Sequence, residues 1–307
     1  MSKVMNILCA TDEAFVPYCG IMLSSLFRNN RSSRFHVYII CNGMTDPSKA
    51  KLKSLCEEYG NEISFITIDR KMTENFPIRD TDHVSLATYY RLFAPVILPE
   101  EVDRILYLDC DMIVNGRIDE LYNCDIDNFA LAGVLDEDYT SDSKYERLGI
   151  VGSKTYFNAG VLLINLAYWR QHNVTQRCLE CIDRLHEKLL LHDQDTLNVV
   201  LKNEVRLVPV KFNMQTGFLH KKTKLSESIR NEVVATLDNP VIIHFTGPRK
   251  PWLRHYRHPY LNIFRENMYL SPWKDLELTK RFKEEFRYWK HTVMFFLHIK
   301  KWPFITR

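Results

Sequence analysis

Residues 105–111 read Ile-Leu-Tyr-Leu-Asp-Cys-Asp, an apolar run that ends abruptly in two carboxylates. The run predicts a buried strand, and side chains alternate along an extended chain, so Asp109 and Asp111 should point the same way. Two like charges at a strand end are unfavourable unless a cation joins them. Mg²⁺ and Mn²⁺ prefer oxygen ligands, so the stretch predicts a metal site. The alternative is a solvated turn, where Asp is common.

The patterns around this strand alternate between strand and helix. Before it, strand patterns at residues 4–9, 35–41 and 62–68 alternate with helix patterns at 18–27, 47–59 and 85–93. After it, strand patterns lie at 129–134, 160–165 and 241–244, and helix patterns at 176–189 and 195–202. The alternation predicts an α/β fold with a parallel sheet and ligands at the carboxyl ends of its strands. Neither a GxGxxG nor a GxxxxGK[ST] motif occurs, so a dinucleotide fold and a P-loop are unsupported.

The charge of the chain is unevenly distributed. Hydrophobic residues at 46% and charged residues at 26% indicate a globular protein. Residues 248–307 contain fourteen Lys and Arg against five Asp and Glu, although the net charge of all 307 residues is only +3. An acidic body with a basic end argues against nucleic-acid binding and for a localised anionic partner. We find neither a secretory signal nor a run of about eighteen apolar residues, and therefore expect a cytoplasmic protein.

A second motif lies at residues 241–252, VIIHFTGPRKPW, where His244 ends another apolar run. His244 could complete a metal site, and Gly247 and Lys250 could approach phosphate oxygens. The alternative is a core histidine before a surface turn. A metal would also neutralise a diphosphate leaving group in the absence of a glycine-rich loop.

Three shorter motifs carry further polar groups. His192-Asp-Gln-Asp195 opens a predicted helix, where Asp is often only a cap. Phe157-Asn-Ala-Gly160 enters a strand with small residues where a ligand needs room. Ala10-Thr-Asp12 follows the first strand, where a carboxylate could accept a ribose or base hydrogen bond.

Six blocks of the sequence together resemble glycosyltransferase family 8, which includes bacterial lipopolysaccharide galactosyl- and glucosyltransferases. The blocks are ATDE (10–13), HVSLATYYRL (83–92), LYLDCD (106–111), YFNAGVLLIN (156–165), HDQDTLN (192–198) and HFTGPRKPW (244–252). The resemblance implies a GT-A fold with a mixed, mostly parallel sheet flanked by helices. It also implies a UDP-glucose or UDP-galactose donor, Mn²⁺ with Mg²⁺ as the alternative, and transfer with retention of the anomeric configuration.

The resemblance also implies roles for individual residues. By position, Asp109, Asp111 and His244 match metal ligands. Those that match donor-binding positions are Ala10, Asp12 and Val84 around uridine, Gly247 and Lys250 at the diphosphate, and Arg91, Asp109, Asn158, Asp193 and Gln194 around the sugar. Glutamine is a poor nucleophile, so we expect front-face attack rather than a covalent intermediate on Gln194. Asp136 matches an acceptor-side position, whereas Ala14 departs from the asparagine of some relatives.

The C-terminal region is predicted to differ from the rest. We expect a GT-A domain over residues 1–258 and a helical, basic and aromatic tail over 259–307. Phe282, Phe286, Trp289, Val293 and Phe296 recur at helical spacing. An amphipathic basic helix is typical of attachment to an anionic membrane surface, here the inner face of the cytoplasmic membrane. The alternative is a helix packed on the body or on a partner chain.

These patterns leave two classes of function. The first is a metal-dependent hexosyltransferase acting on a glycan acceptor, either lipid-linked lipopolysaccharide core or another surface glycan. The second is a catalytically silent glycan-binding or scaffold protein on the same fold. The metal ligands favour the first class.

Overall fold

A computed structural model of the chain describes residues 4–69, 76, 86–152, 154–280, 285, 286, 288–290, 292, 294 and 302–305. The strands are β1 (Met5–Thr11), β2 (Phe35–Cys41), β3 (Glu62–Ile66), β4 (Arg104–Leu108), β5 (Met112–Val114), β6 (Leu131–Leu135), β7 (Phe157–Asn165), β8 (Val205–Leu207), β9 (Met214–Gln215) and β10 (Ile242–His244). The α-helices are α1 (Val16–Asn29), α2 (Asp46–Glu58), α3 (Ala94–Ile97), α4 (Asp119–Tyr122), α5 (Asp142–Leu148), α6 (Leu166–Gln171), α7 (Val174–Leu185), α8 (His192–Val200), α9 (Glu227–Thr236) and α10 (Leu261–Tyr269). The segment Leu86–Phe93, expected to be helical, forms a 3-10 helix.

The main sheet has seven strands in the order β3-β2-β1-β4-β7-β6-β8. The strands β1 to β4 run parallel, as the alternation of patterns predicted. By contrast, β7 runs antiparallel to both β4 and β6, with Leu106 opposite Leu163 and Ala132 opposite Leu163. The mixed, mostly parallel sheet expected from the family resemblance is therefore confirmed.

Both faces of the sheet are buried. In β1, Ile7 and Cys9 belong to one apolar cluster while Leu8 belongs to the other. The side-chain period of two explains this division, since neighbouring residues of a strand point to opposite faces. Helices α1 and α2 cover the first face, and α7, α8 and the 3-10 helix Leu86–Phe93 cover the second.

A second, three-stranded sheet, in the order β5-β10-β9, was not predicted as a unit. In it β10 pairs antiparallel with β5, so that His244 lies opposite Met112. The segment 109–111 therefore connects a strand of the main sheet to a strand of the small sheet. Its backbone is fixed on both sides, because Asp109 N donates to Gly160 O (2.9 Å) and Phe245 N donates to Asp111 O (3.0 Å).

Several described parts of the C-terminal region pack on the body. Phe264 of α10 and Trp273 are buried in the main core. A Cβ on Gly20 of α1 would lie 2.0 Å from the Trp273 ring, so the close approach requires glycine. Residues 302–305 return to the segment 219–221, with Ile305 N donating to Leu219 O (2.7 Å). Among the described residues, no helix combines the length and the hydropathy required to cross a membrane.

Candidate metal and donor site

Two carboxylates and an imidazole converge at the carboxyl end of β4. One ligand atom each from Asp109, Asp111 and His244 lies within 4.8 Å of the others. His244 Nε2 is 3.2 Å from Asp111 Oδ1 and 3.9 Å from Asp109 Oδ2. The predicted pair of carboxylates and the predicted histidine therefore meet at one place, although 133 positions separate Asp111 from His244 in the chain.

The space around this cluster depends on a glycine of β7. A Cβ on Gly160 would lie 2.4 Å from His244 Cε1 and 2.8 Å from Asp109 Oδ2. A real Cβ does not approach neighbours so closely, so an alanine would displace one of the two side chains. The small residues of the motif 157–160 thus make room for the cluster itself.

A chain of hydrogen bonds fixes the orientation of the His244 ring. It starts at Gly160 N, which donates to Asn158 Oδ1 (3.0 Å), and Asn158 Oδ1 also accepts from Asn213 Nδ2 (2.9 Å). Asn213 Oδ1 consequently faces His244 Nδ1 at 2.9 Å and accepts a hydrogen bond from it. Nε2 is the ring nitrogen that faces the two carboxylates.

Two carboxylate oxygens and an imidazole nitrogen within 4.8 Å of one another fit a divalent cation. Carboxylate oxygens and an imidazole nitrogen are suitable ligands for Mn²⁺, and Mg²⁺ accepts the oxygens. Histidines that bind metals characteristically donate their other ring N–H to a fixed acceptor, as His244 does to Asn213. The residues present therefore fit the metal that the sequence predicted.

We expect Asn213→Ala to weaken Mn²⁺ binding by roughly 10–100-fold, because the His244 ring loses the acceptor that sets its tautomer. Titration of Mn²⁺ followed by electron paramagnetic resonance measures this affinity. The exposed Asn239 provides the control variant Asn239→Ala. Unchanged Mn²⁺ affinity in a folded Asn213→Ala protein would refute the role of this side chain.

Lys250 contacts the carboxylate oxygen of Asp111 that is not the one nearest His244. Its Nζ contacts Asp111 Oδ2 and donates to Phe245 O (2.9 Å). Burial by itself would raise the pKa of Asp111, but Lys250 and His244 hold that pKa well below its usual range. Asp111 is therefore ionised, as a metal ligand must be.

Arg91 joins the cluster to a second buried carboxylate. Its Nη2 is 3.1 Å from Asp109 Oδ1, and its Nε is 3.0 Å from Asp193 Oδ2. Tyr107 OH also donates to Asp109 Oδ1 (2.8 Å), which leaves Oδ2 facing His244. Burial lowers the pKa of Arg91, but Asp193, Tyr107 and Asp109 raise it by more, so the guanidinium keeps its charge.

Gln194 lies at the centre of a third group of side chains. Its Oε1 accepts from Ala159 N (3.0 Å) and Asn158 Nδ2 (3.1 Å), and its Nε2 donates to Asp136 Oδ2 (3.1 Å). The other oxygen of Asp136 is 2.9 Å from the buried ammonium of Lys144. A backbone N–H can only donate, so the bond from Ala159 fixes which way the Gln194 amide points.

The remaining predicted residues are placed as follows. Ala10 and Asp12 lie at the carboxyl end of β1, the strand beside β4. Asp12 caps a short 3-10 helix by accepting from Phe15 N (3.1 Å). Gly247 is exposed and has φ +83°, a conformation that favours glycine. Val84 lies outside the described residues.

Asp195, whose predicted alternatives were a cap and a functional carboxylate, is fully buried and accepts from Leu191 N (2.8 Å) and Tyr156 OH (2.6 Å). These contacts support a structural role for Asp195. Sequence reasoning missed four further residues of the site, namely Asn213, Tyr107, Lys144 and Thr88, whose hydroxyl donates to Asp193 Oδ1. Only Asn213 carries a local signal, since it is a polar residue between the apolar Phe212 and Met214.

A family model and several known proteins match this chain. The family model for glycosyl transferase family 8 matches residues 6–255. General stress protein A of Bacillus subtilis (strain 168) is 29% identical over 279 residues, which cover 89% of this chain and 96% of that protein. Lipopolysaccharide glucosyltransferase WaaO of Escherichia coli (strain K12) is also 29% identical, over 90% of this chain and 81% of that protein.

The fold has a close counterpart among solved structures. The galactosyltransferase LgtC, crystallised with donor and acceptor sugar analogues, superposes with a TM-score of 0.79 at 25% identity. The superposition covers 87% of this chain and 96% of LgtC. These matches favour an enzyme over a catalytically silent glycan binder. By its sequence and by its GT-A architecture, the chain belongs to glycosyl transferase family 8.

Proposed function

We propose that the protein transfers glucose or galactose from a UDP-sugar to a glycan acceptor, with retention of the anomeric configuration and with Mn²⁺ at the cluster of Asp109, Asp111 and His244. The observation that carries the proposal is the convergence of this cluster with two polar groups, the buried pair of Arg91 with Asp193 and the pair of Gln194 with Asp136. Glucose and galactose are the donor candidates because WaaO is named a glucosyltransferase and LgtC a galactosyltransferase.

Asp109, Asp111 and His244 would hold the metal ion, which when bound neutralises charge on the diphosphate leaving group. Gly247 presents its backbone to the diphosphate without a side chain in the way. Lys250, which contacts Asp111 here, becomes available to a phosphate oxygen once another cation pairs with that carboxylate. Ala10, Asp12 and Val84 are proposed to surround the uridine.

Asp193 and Arg91 are proposed to bind hydroxyl groups of the donor sugar. Asp193 is 3% exposed, its Oδ1 accepts from the Thr88 hydroxyl, and its Oδ2 lies 3.0 Å from Arg91 Nε. Asn158 is proposed to contact the same sugar, and its Nδ2 donates to Gln194 Oε1. A fixed set of polar groups orients the sugar at low entropic cost, which is how such positioning contributes to rate.

The contacts of Gln194 support front-face attack. Both acceptor positions of its Oε1 are used by Ala159 N and Asn158 Nδ2. The oxygen is therefore poorly placed to attack the anomeric carbon and form a covalent intermediate. The acceptor hydroxyl would instead approach from the side of the leaving diphosphate, whose oxygen takes the proton. Asp136, held by Lys144, is proposed to contact the acceptor.

Product analysis tests the proposal. The protein is incubated with Mn²⁺, UDP-glucose or UDP-galactose and a panel of oligosaccharide acceptors, with lipopolysaccharide core first and another surface glycan second. Nuclear magnetic resonance of the new anomeric proton should show the α configuration of the donor. A β-linked product would contradict retention, and no product from any pair would contradict the proposed transfer.

The tail is proposed to attach the enzyme to an anionic membrane surface, the inner face of the cytoplasmic membrane, where a lipid-linked acceptor would be presented. Phe286 and Trp289 are 67% and 59% exposed, and Lys290 follows them. Tyr288 and Trp289 both lie against His255 of the body, with ring centroids 4.5 Å and 6.1 Å from that of His255. Phe282, Val293 and Phe296 lie outside the described residues.

We expect the double variant Phe286→Ser, Trp289→Ser to sediment several-fold less with phosphatidylglycerol vesicles, because two interfacial aromatic side chains are lost. Tyr269→Ser, at a tyrosine that is 70% exposed on α10, is the control. Equal sedimentation of the double variant and the wild type would argue against membrane attachment by these residues.

A further inference from the structure

A cavity of about 330 Å³ lies beside the metal and donor site. Thr246 and Gly247, in the turn after His244, line one side, and Trp302, Pro303 and Phe304 line the other. Pockets for small ligands range from about 300 to 1,000 Å³. The cavity, called here the C-terminal pocket, therefore has room for a sugar unit next to the proposed diphosphate position.

The outer wall of the C-terminal pocket is a fixed part of the fold. Phe304 is 4% exposed and packs on His220 with ring centroids 4.4 Å apart. Lys221 N donates to Pro303 O (3.0 Å), and Ile305 N donates to Leu219 O (2.7 Å). The family match ends at residue 255, so this wall is contributed by a part of the chain outside the matched region.

The lining combines aromatic rings with positive charge. Tyr256, Tyr288 and Trp302 supply aromatic surface, on which the C–H faces of a sugar ring pack. Arg249 and Arg257 also line the pocket. The Arg257 guanidinium lies 4.4 Å from the centroid of the Tyr288 ring and donates to Thr292 Oγ1, so it is held in position.

Glu137 is the one acidic side chain among the lining residues that the structure describes. Its Oε2 accepts from Gly217 N (2.7 Å) and Thr246 Oγ1 (2.8 Å), so the carboxylate is engaged by the protein itself. Two guanidinium groups, those of Arg249 and Arg257, stand against this single carboxylate among the described lining residues. Arginine is suited to carboxylate and phosphate groups, which it pairs with in a bidentate way.

We propose that the C-terminal pocket binds an acidic sugar unit of the acceptor glycan, with its carboxylate or phosphate paired to Arg249 and Arg257 and its ring on Trp302. The inference rests on the proposed function, because an acceptor binds here only if the neighbouring site holds the donor. The aromatic rings favour an anion attached to a sugar ring over a free inorganic anion, because only the sugar can pack on them.

Binding measurements without turnover test the proposal. Isothermal titration of the full chain with UDP and Mn²⁺ present, so that the diphosphate position is filled, compares glucose, glucuronic acid, glucose 6-phosphate and inorganic phosphate. We expect at least one acidic sugar to bind tenfold or more tightly than glucose and more tightly than inorganic phosphate. Comparison of glucuronic acid with glucose 6-phosphate shows whether the pocket prefers a carboxylate or a phosphate.

Substitutions of lining residues test whether the acidic sugar binds in the C-terminal pocket. Arg249→Gln and Arg257→Gln should each reduce the preference for the acidic sugar about tenfold, whereas Arg254→Gln, an exposed arginine of the same segment that does not line the pocket, should not. Trp302→Ala should weaken the binding of the sugars and leave the binding of inorganic phosphate unchanged. Equal binding of neutral and acidic sugars, or a preference unaffected by both arginine variants, overturns the inference. Failure of the protein to release UDP from any donor, with the acidic preference intact, would instead contradict the proposed function alone.

Discussion

Asp111→Asn is expected to reduce Mn²⁺-dependent UDP release about 1,000-fold. A metal that stabilises a leaving group contributes several kcal/mol to the transition state, and each 1.36 kcal/mol is a factor of ten in rate. Asp111 supplies one of three converging ligand atoms, with its Oδ1 3.2 Å from His244 Nε2. Asparagine has nearly the same shape but no charge, so the change removes the anion and preserves the packing.

Two further measurements separate this explanation from a general loss of structure. Mn²⁺ affinity, measured by electron paramagnetic resonance, should fall together with the rate. Asp127→Asn, which changes a carboxylate whose side chain is 85% exposed, should alter neither. If Asp111→Asn retained more than a tenth of the wild-type metal-dependent rate, the proposed ligand set would be wrong.

Arg91→Met is expected to lower the free energy of unfolding by about 3–5 kcal/mol, since removing one partner of a buried ion pair leaves the other charge uncompensated. Here two carboxylates lose their partner, because Arg91 contacts both Asp109 and Asp193. Urea unfolding measures the change. Arg117→Met breaks a partly exposed pair with Asp119, 3.0 Å apart, in which the Arg117 side chain is 63% exposed, and should cost only about 1 kcal/mol.

The loss in Arg91→Met should also depend on pH. Burial raises the pKa of Asp193, and Arg91 opposes that rise. Without Arg91 the folded protein binds a proton at Asp193 more readily than the unfolded chain does, so its stability increases as the pH falls. We therefore expect part of the lost stability to return as the pH is lowered from 7 toward the raised pKa of Asp193. A loss as small as that of Arg117→Met, or one independent of pH, would contradict the role given to Arg91.

The local part of the fold could be predicted from the sequence. The strand at residues 105–108 and its two following carboxylates are a short-range pattern, and the structure brings Asp109 and Asp111 together as expected. The antiparallel direction of β7 could not be predicted in this way. Its apolar residues would suit either direction, and only pairing with β4 and β6 decides between them.

The partners of the predicted site residues were harder to foresee. The small sheet depends on β10 meeting β5 across more than a hundred residues, a contact that local periodicity does not encode. Asn213 reaches His244 only through that sheet. Lys144 is a buried lysine in a helix whose sequence gives no sign of burial, because its partner Asp136 comes from a neighbouring strand end. Likewise, the return of residues 302–305 to the body depends on backbone pairing with residues 219–221.

The most direct test of the account is UDP release from UDP-glucose and UDP-galactose by the wild-type protein, with Mn²⁺ and then with EDTA. The account predicts release from at least one donor in the presence of Mn²⁺, and its loss when EDTA removes the metal. Release that continues unchanged in EDTA, or no release from either donor by folded protein supplied with glycan acceptors, would contradict it.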